Sequence, residues 1–128
     1  MAKFAGLLLL AVATVLLSDN AEGFGMLRVG GTGKERPANE KIQHLVSKMK
    51  SKTEEFLDRK FDKFVGVSYK SQIVAGTNYF IKVKVDNNEY VHLRVFVPLP
   101  FMRSEPQLAN ALDGKEKTDP LEYINSAN

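Results

Sequence analysis

Histidine and serine are the residue types in this chain that could support nucleophilic catalysis, because cysteine is absent. The lack of cysteine excludes disulfides, thiolate metal sites and a cysteine nucleophile. A Ser-His-Asp arrangement would have to use His44 or His92, the two histidines of the chain. Neither stands at a recognisable spacing from an acid, and Ser68 and Ser71 have no base nearby in the sequence. The residues therefore predict a protein that binds, and not an enzyme.

Phosphate, metal and nucleic-acid binding are poorly supported too. The stretch "GGTGK" at residues 30–34 is shorter than a P-loop, and no predicted strand precedes it. Two histidines without cysteine argue against a structural zinc site, so we expect no cofactor and no metal. The 18 basic and 15 acidic residues are mixed along the chain without a run of one sign. This pattern does not favour a nucleic-acid partner.

Residues 1–23 are predicted to be a secretory signal peptide. Lys3 precedes an uncharged stretch of 14 residues, 4–17, which suits a signal peptide and is too short for a membrane span. Cleavage after Gly23 would leave a net charge of about +4 and no membrane anchor. The alternatives are a buried N-terminal helix, or a start at Met26 that gives a cytosolic form. The chain has no disulfides and no Asn-x-Ser/Thr sequons, and both absences are more typical of cytosolic proteins. Because they disagree with the predicted signal peptide, the location stays open.

The elements that must position a binding surface begin after a glycine-containing arm, residues 24–38, which is predicted to be flexible. Residues 39–60 then predict one amphipathic helix with Asn39 as its N-cap. His44 is off the apolar stripe of this helix and is predicted to face solvent. The stripe follows a three-to-four spacing and comprises Ile42, Leu45, Val46, Met49, Thr53, Phe56 and Leu57.

Three later segments alternate apolar and other residues, as half-buried strands do. The predicted core faces are Val65, Val67 and Tyr69; Tyr79, Ile81, Val83 and Val85; and Val91, Leu93, Val95 and Val97. His92 falls on the polar face of the third strand, which favours a structural role. Residues 115–124 could add an edge strand, where Pro120 is tolerated. One helix packed on antiparallel strands gives an α+β fold.

Two connections between these strands expose apolar residues. "QIVAG", residues 72–76, follows the first strand and contains no acid, base or nucleophile. "VPLPFMRSEPQ", residues 97–107, leaves the third strand and includes Leu99, Phe101 and Met102. Connections in a meander alternate between the ends of a sheet, so these two should lie at the same end. Exposed apolar loops usually contact something, and the pair therefore predicts a binding wedge.

"QIVAG" also fits the Q-x-V-x-G motif of the cystatin superfamily of cysteine-protease inhibitors. Together with "YKSQIVAGTNYFIKVKV", "EYVHLRVF" and the later Leu99-Pro100, it resembles the stefins, or type 1 cystatins, over residues 29–124. The five-residue motif alone is weak, whereas the whole run is specific. The resemblance implies the cystatin fold for a domain at residues 39–128, with one long helix packed on a roughly five-stranded antiparallel sheet.

The function implied by the resemblance is reversible, tight-binding, competitive inhibition of papain-like cysteine proteases, including the cysteine cathepsins. Three segments of such a protein enter the protease active-site cleft as a hydrophobic wedge. Residues 27–29 of the arm would occupy the non-primed subsites, and "QIVAG" would sit over the catalytic centre. The implied protease-binding residues are Gly30, Gln72, Ile73, Val74, Ala75, Gly76, Leu99 and Pro100.

The chain departs from the stefin pattern in two respects. Stefins normally lack a signal peptide and act in the cytosol, so the leader predicts a secreted or endolysosomal protein, with the cytoplasm as the alternative. Phe101, Met102 and Arg103 differ from the residues expected in stefins, which leaves selectivity among proteases open. We expect mainly a monomer, with a domain-swapped dimer as the alternative state. The alternative function is a cystatin-like binding or antimicrobial module that does not inhibit proteases.

Overall fold

The computed structural model describes residues 32–127, so Gly30, the predicted signal peptide and the first part of the arm lie outside the described residues. The described part contains one α-helix of 18 residues and a five-stranded antiparallel sheet whose strand order follows the chain. This confirms the predicted α+β class and the helix-on-sheet arrangement. The elements are β1 (Arg36–Pro37), α1 (Glu40–Leu57), β2 (Val65–Val74), β3 (Gly76–Lys84), β4 (Tyr90–Val97) and β5 (Gln107–Lys115). No helix in this range is both long and apolar enough to cross a membrane.

Helix α1 begins where the capping residue predicts. Oδ1 of Asn39 accepts the backbone N–H of Ile42 at 2.9 Å, which satisfies one of the free donors of the first turn. Thr53 is fully buried on the core stripe, and its hydroxyl donates to the carbonyl of Met49 at 2.8 Å. The spacing predicts that Phe56 lies on the buried stripe, but its side chain is 47% exposed. It lies beside the edge strand β5, where it lines an open groove.

Strands β3 and β4 form the centre of the sheet and supply a large part of the core. Ile81 pairs with Leu93 and Val83 pairs with Val91, so their side chains share one face. All four are completely buried against the helix side of the sheet. The alternation predicted for these two strands is thereby confirmed.

Strand β2 does not follow its predicted alternation. Its register against β3 shifts across Val67, as in a β-bulge, and both Val65 and Val67 are exposed. Gly66 faces the helix instead, and an added Cβ would lie 3.2 Å from Cγ2 of Val46. The side-chain amide of Gln43 bonds both the N–H and the carbonyl of Gly66, at 2.9 and 2.8 Å. The helix can approach β2 this closely because glycine has no side chain there.

The face of the sheet opposite the helix is covered by residues 116–127, which we call the C-terminal segment. The sequence predicts an edge strand here, and this is wrong, because the segment has no strand and β5 precedes it in the chain. Leu121 and Ile124 of the segment pack on Phe80 in a second, smaller core. The guanidinium of Arg94 donates to the carbonyl of Ile124 at 2.9 Å and so holds the segment on this back face.

Two ionisable residues are buried on the back face beneath the C-terminal segment. Nζ of Lys82 donates to the carbonyls of Lys117 and Asp119, at 2.8 and 2.7 Å. His92, opposite Lys82 on β4, is only 2% exposed, and its Nε2 has no hydrogen-bond partner in the described part of the chain. Burial, and then the positive charge of Lys82, lower the pKa of His92 to about 4. The imidazole is therefore neutral at neutral pH.

Candidate functional site

The two apolar connections lie at the same end of the sheet, as the meander predicts. The first loop, residues 72–76, joins β2 to β3, and the second loop, residues 98–103, follows β4. Thr77 at the start of β3 pairs with Val97 at the end of β4, which brings the two loops together. We call this part of the molecule the loop end.

The first loop turns within a single residue. Val74 pairs with Gly76 across Ala75. Gly76 has a φ of 126°, which side chains rarely allow, and an added Cβ would lie 2.7 Å from both the Phe96 ring and the Val97 carbonyl oxygen. Glycine is therefore required here for its conformation and for the close packing of the loop on β4.

The side chains of the first loop divide into supporting and exposed ones. The Gln72 side chain accepts a hydrogen bond at 3.0 Å from the amide of Asn78, a buried residue on the paired strand. Ile73 is 79% exposed and Val74 is 45% exposed. The polar side chain thus holds the hairpin together, while two adjacent aliphatic side chains face solvent without a partner in the fold.

The second loop is a short helical turn that begins at Pro100. Leu99 is half-buried, and its carbonyl accepts the N–H of Met102 at 3.0 Å. Arg103 ends the turn with a φ of 55°. Phe101 is 74% exposed and Met102 is 57% exposed, so the turn carries two further large apolar side chains into solvent.

The end of the arm is hydrogen-bonded to β2, although the sequence predicts it to be flexible. Arg36 pairs with Tyr69, and the N–H of Gly33 donates to the carbonyl of Ser71 at 2.8 Å. Going backward from β1, the chain therefore runs along β2 toward the first loop. Gly30, a predicted site residue, stands three residues before Gly33 and lies outside the described residues.

The order of the strands places these segments in a row. The arm flanks β2, the first loop connects β2 to β3, and the second loop connects β4 to β5. The first loop has no ionisable side chain, and residues 32–127 hold no cluster of three or more His, Asp or Glu residues that could bind a metal. Such a row of exposed aliphatic and aromatic side chains can bury itself in an apolar groove of a partner.

The carboxylates with a clearly lowered pKa lie at the other end of the sheet. Hydrogen bonds from the Arg59 guanidinium, at 3.0 and 3.1 Å, are the main cause that lowers the pKa of Glu89. Two backbone N–H groups that follow α1 bind the carboxylate of Asp86 and lower its pKa. These groups connect the end of the helix to the β3–β4 connection and are remote from the loop end.

Residues 30–117 match the sequence model of the Cystatin domain family. This chain belongs to the cystatin family. Cystatin-B of Pan troglodytes is 46% identical to this cystatin over 95 residues, which are 74% of this chain and 97% of that protein. Cystatin-A1 of Sus scrofa is 44% identical over 92 residues, 72% of this chain and 89% of that protein. Cystatin-A of Felis catus is 40% identical over 92 residues, 72% and 94% of the two chains. The resemblance to stefin-type cystatins is confirmed.

Membership of this family supports inhibition of cysteine proteases in general. It also supports the interpretation of this chain as an inhibitor and not an enzyme. The predicted signal peptide, residues 1–23, lies outside the described residues of this cystatin and stays a prediction.

The structure brings together seven of the eight predicted site residues at the loop end and gives them different surroundings. They are Gln72, Ile73, Val74, Ala75, Gly76, Leu99 and Pro100. Gly76 is buried and Gln72 is half-buried, so they support the loop, whereas Ile73 is its most exposed large apolar side chain. Sequence reasoning missed Phe96, whose ring packs on Gly76 from the neighbouring strand. An aromatic residue at the end of the third predicted strand was the available signal.

Proposed function

We propose that this cystatin is a reversible, tight-binding, competitive inhibitor of papain-like cysteine proteases, including the cysteine cathepsins. The arm, the first loop and the second loop would enter the active-site cleft together as a hydrophobic wedge. One observation carries the proposal: Ile73, 79% exposed, stands on a one-residue hairpin that Gly76 and Gln72 hold in shape. A protease that is occupied in this way cannot admit its substrate.

The affinity of such a wedge comes from apolar burial and from preorganisation. The first loop is fixed by its register, by the Gln72–Asn78 hydrogen bond and by the packing of Gly76 on β4. Little conformational entropy is then lost on binding, so most of the free energy of burying Ile73 and Val74 contributes to affinity. Since no side chain of this loop is ionisable, its contribution should depend little on salt.

The arm supplies the third part of the proposed wedge. The N–H of Gly33 is anchored at 2.8 Å on the carbonyl of Ser71, directly before the first loop. Gly30 stands three residues before Gly33 in the sequence, and three extended residues span at most about 11 Å. We propose that residues 27–29 occupy the non-primed subsites and that a side chain at Gly30 would misplace them.

A titration of the full-length chain into active papain, followed with a fluorogenic substrate, tests the proposed function. We expect stoichiometric, reversible and competitive inhibition. Ile73→Asp should weaken inhibition by about a hundredfold or more, because a carboxylate would be buried in an apolar cleft. Val65→Asp is the matched control: Val65 is 48% exposed at the other end of the same strand, and its replacement should leave inhibition unchanged.

Two results would contradict the proposal. One is the absence of inhibition by a sample whose circular dichroism shows it to be folded. The other is an equal loss of inhibition in the Ile73→Asp and Val65→Asp variants. The first result would favour a cystatin-like binding or antimicrobial module that does not inhibit proteases. The second would mean that Ile73 does not make the decisive contact of the wedge.

We also propose that residues 1–23 direct the protein into the secretory pathway. The support is the uncharged stretch at residues 4–17 that follows Lys3. Intact mass spectrometry of protein from expressing cells tests this, and we expect chains that begin at Phe24 in the medium. Chains found solely in the cytosol, beginning at Met1 or Met26, would contradict secretion.

We propose the monomer as the main active form, because a domain swap through the first-loop hairpin would open the loop that carries Ile73. Size-exclusion chromatography with light scattering, followed by papain titration of each peak, tests this. The monomer peak should inhibit and a dimer peak should not. Inhibition by the dimer alone would contradict the proposal.

A further inference from the structure

We propose that Phe101 and Met102 form a separate apolar contact surface on the wedge, and that this surface decides which cysteine proteases the protein inhibits most tightly. We call these two side chains the apolar shelf. The inference rests on the proposed function, because it assigns a specificity role within the same binding site. It concerns residues beyond those that the resemblance implies.

Exposure is the first observation that carries the inference. Of the large apolar side chains in residues 32–127, the three most exposed are Ile73 at 79%, Phe101 at 74% and Met102 at 57%. All three lie at the loop end, although they come from connections about 28 residues apart in the chain. Neither shelf residue belongs to either of the two hydrophobic cores of the described chain. Their apolar surface therefore does not contribute to the packing of either core.

The shelf is also held in a fixed conformation. The N–H of Met102 donates to the Leu99 carbonyl at 3.0 Å, and the N–H of Arg103 donates to the Pro100 carbonyl at 3.2 Å. Pro100 fixes its own φ at the start of the turn. Leu99, directly before the turn, is half-buried. Because the turn is built before binding, contacts of the shelf need little ordering of the backbone.

The position of the shelf defines the part of the protease that it contacts. The arm, the first loop and the second loop lie in a row, because the strand order follows the chain. If the first loop covers the catalytic centre and the arm fills one side of the cleft, the second loop lies on the opposite side. The shelf should therefore contact the rim of the cleft on the side away from the arm.

The chemistry of the shelf defines the surface that it fits. A phenyl ring and a thioether bind an aromatic or aliphatic wall well, and sulfur–aromatic contacts add to the attraction. The neighbouring residues Arg103 and Glu105 are exposed and of opposite charge. They therefore give the surroundings of the shelf no strong preference for a protease surface of one charge. A protease with an apolar side chain at this place should be bound tightly. One with a charged side chain there should be bound more weakly, since that charge would lose water without a partner.

The test uses the full-length chain and its Phe101→Ala, Met102→Ala and double variants, with papain and a panel of cysteine cathepsins of known structure. We expect the double variant to raise the inhibition constant by about ten- to a hundredfold for proteases with an apolar rim. The change should appear mainly in the dissociation rate. Proteases with a charged rim should change by less than about threefold. Melting temperatures should be unchanged, because both side chains are mostly exposed.

Controls separate this inference from the proposed function. Phe56→Ala removes another exposed phenyl ring, 47% exposed on α1, and should leave every inhibition constant unchanged. Phe101→Leu keeps an apolar side chain and should retain most of the affinity. Unchanged constants for the double variant, alongside loss of inhibition by Ile73→Asp, would overturn the shelf and leave the proposed function intact. An equal loss toward every protease would overturn its role in selectivity, and no inhibition by the unaltered chain would overturn both.

Discussion

The loop end and the back face of the sheet depart from the usual burial pattern in opposite directions. At the loop end, Ile73 and Phe101 are 79% and 74% exposed. On the back face, Lys82 and His92 are 6% and 2% exposed. The loop end therefore exposes apolar side chains to solvent, whereas the back face buries polar groups that need hydrogen-bond partners within the protein. Substitutions in the first region should change binding, and substitutions in the second should change stability.

Several buried polar atoms of the back face have hydrogen-bond partners, whereas Nε2 of His92 and Nε of Arg94 have none in the described part of the chain. Burying an ammonium group is costly unless it is hydrogen-bonded, and Lys82 meets two carbonyls of the C-terminal segment. The guanidinium of Arg94 lies 5.9 Å from the ring centroid of Phe80 and 5.4 Å from that of Tyr123, within the range of cation–π attraction. The segment is thus held on the sheet by apolar burial and hydrogen bonds together.

The sharpest test of the comparison is Gly76→Trp at the loop end. A Cβ there would overlap the Phe96 ring and the Val97 carbonyl oxygen, and an indole would also block the tip of the wedge. We expect inhibition of papain to fall by about a thousandfold, or about 4 kcal/mol of binding free energy. Gly114→Trp is the control, because Gly114 also has a positive φ, 69°, but has no atom within 4 Å of an added Cβ. Equal losses in both variants would show that strain, and not position, is responsible.

Leu121→Ala should give the complementary result on the back face. Leu121 of the C-terminal segment is completely buried and packs with Phe80 and Ile124. Truncation leaves a cavity and should lower the free energy of unfolding by about 3 kcal/mol, measured by urea denaturation. The inhibition constant for papain should stay within about twofold at temperatures where the variant is folded. A parallel loss of inhibition would mean that the two regions are coupled.

The pH dependence of stability between pH 6.5 and pH 4 should include a contribution from His92 on the back face. The pKa of His92 is about 4 in the folded protein, against the ordinary value of 6.5, so the unfolded chain takes up the proton first as the pH falls. The free energy of unfolding should therefore fall by about 1–3 kcal/mol between pH 6.5 and pH 4.

Urea denaturation at several pH values compares the unaltered chain with two variants. His92→Leu should remove this part of the pH dependence, whereas His44→Leu, which replaces an exposed histidine of α1, should retain it. The same slope in all three proteins would assign the effect to the carboxylates.

The smallest effect is expected for Lys48→Ala. Nζ of Lys48 lies 3.7 Å from Oε1 of Glu105, a residue that follows the second loop, and the two side chains are 46% and 83% exposed. Ion pairs this exposed contribute little to stability. The free energy of unfolding should therefore change by less than about 0.5 kcal/mol, and the inhibition constant for papain by less than about twofold. A tenfold loss of inhibition would show that α1 helps to position the second loop.

The sequence alone determined the elements whose signals are local. The side-chain oxygen of Asn39 fixes the start of α1, and strict alternation fixes β3 and β4, because each pattern repeats with the period of its own backbone. The first loop was also predictable. Its glycine and its uncharged apolar residues stand between two alternating runs, where a hairpin turn is the simplest connection. The family followed from the same residues.

Long-range packing overrides these patterns at places that become visible in the folded protein. The bulge at Val67 turns both valines of early β2 outward, because the helix needs Gly66 beneath it. The C-terminal segment covers the back face as an irregular chain, because Leu121 and Ile124 find an apolar site beside Phe80. His92 stands at an outward position of its strand, on the face that this segment covers, and is buried in the fold. Burial by a distant part of the chain leaves no periodic signal in the sequence, so its effect on a strand face appears only in the folded protein.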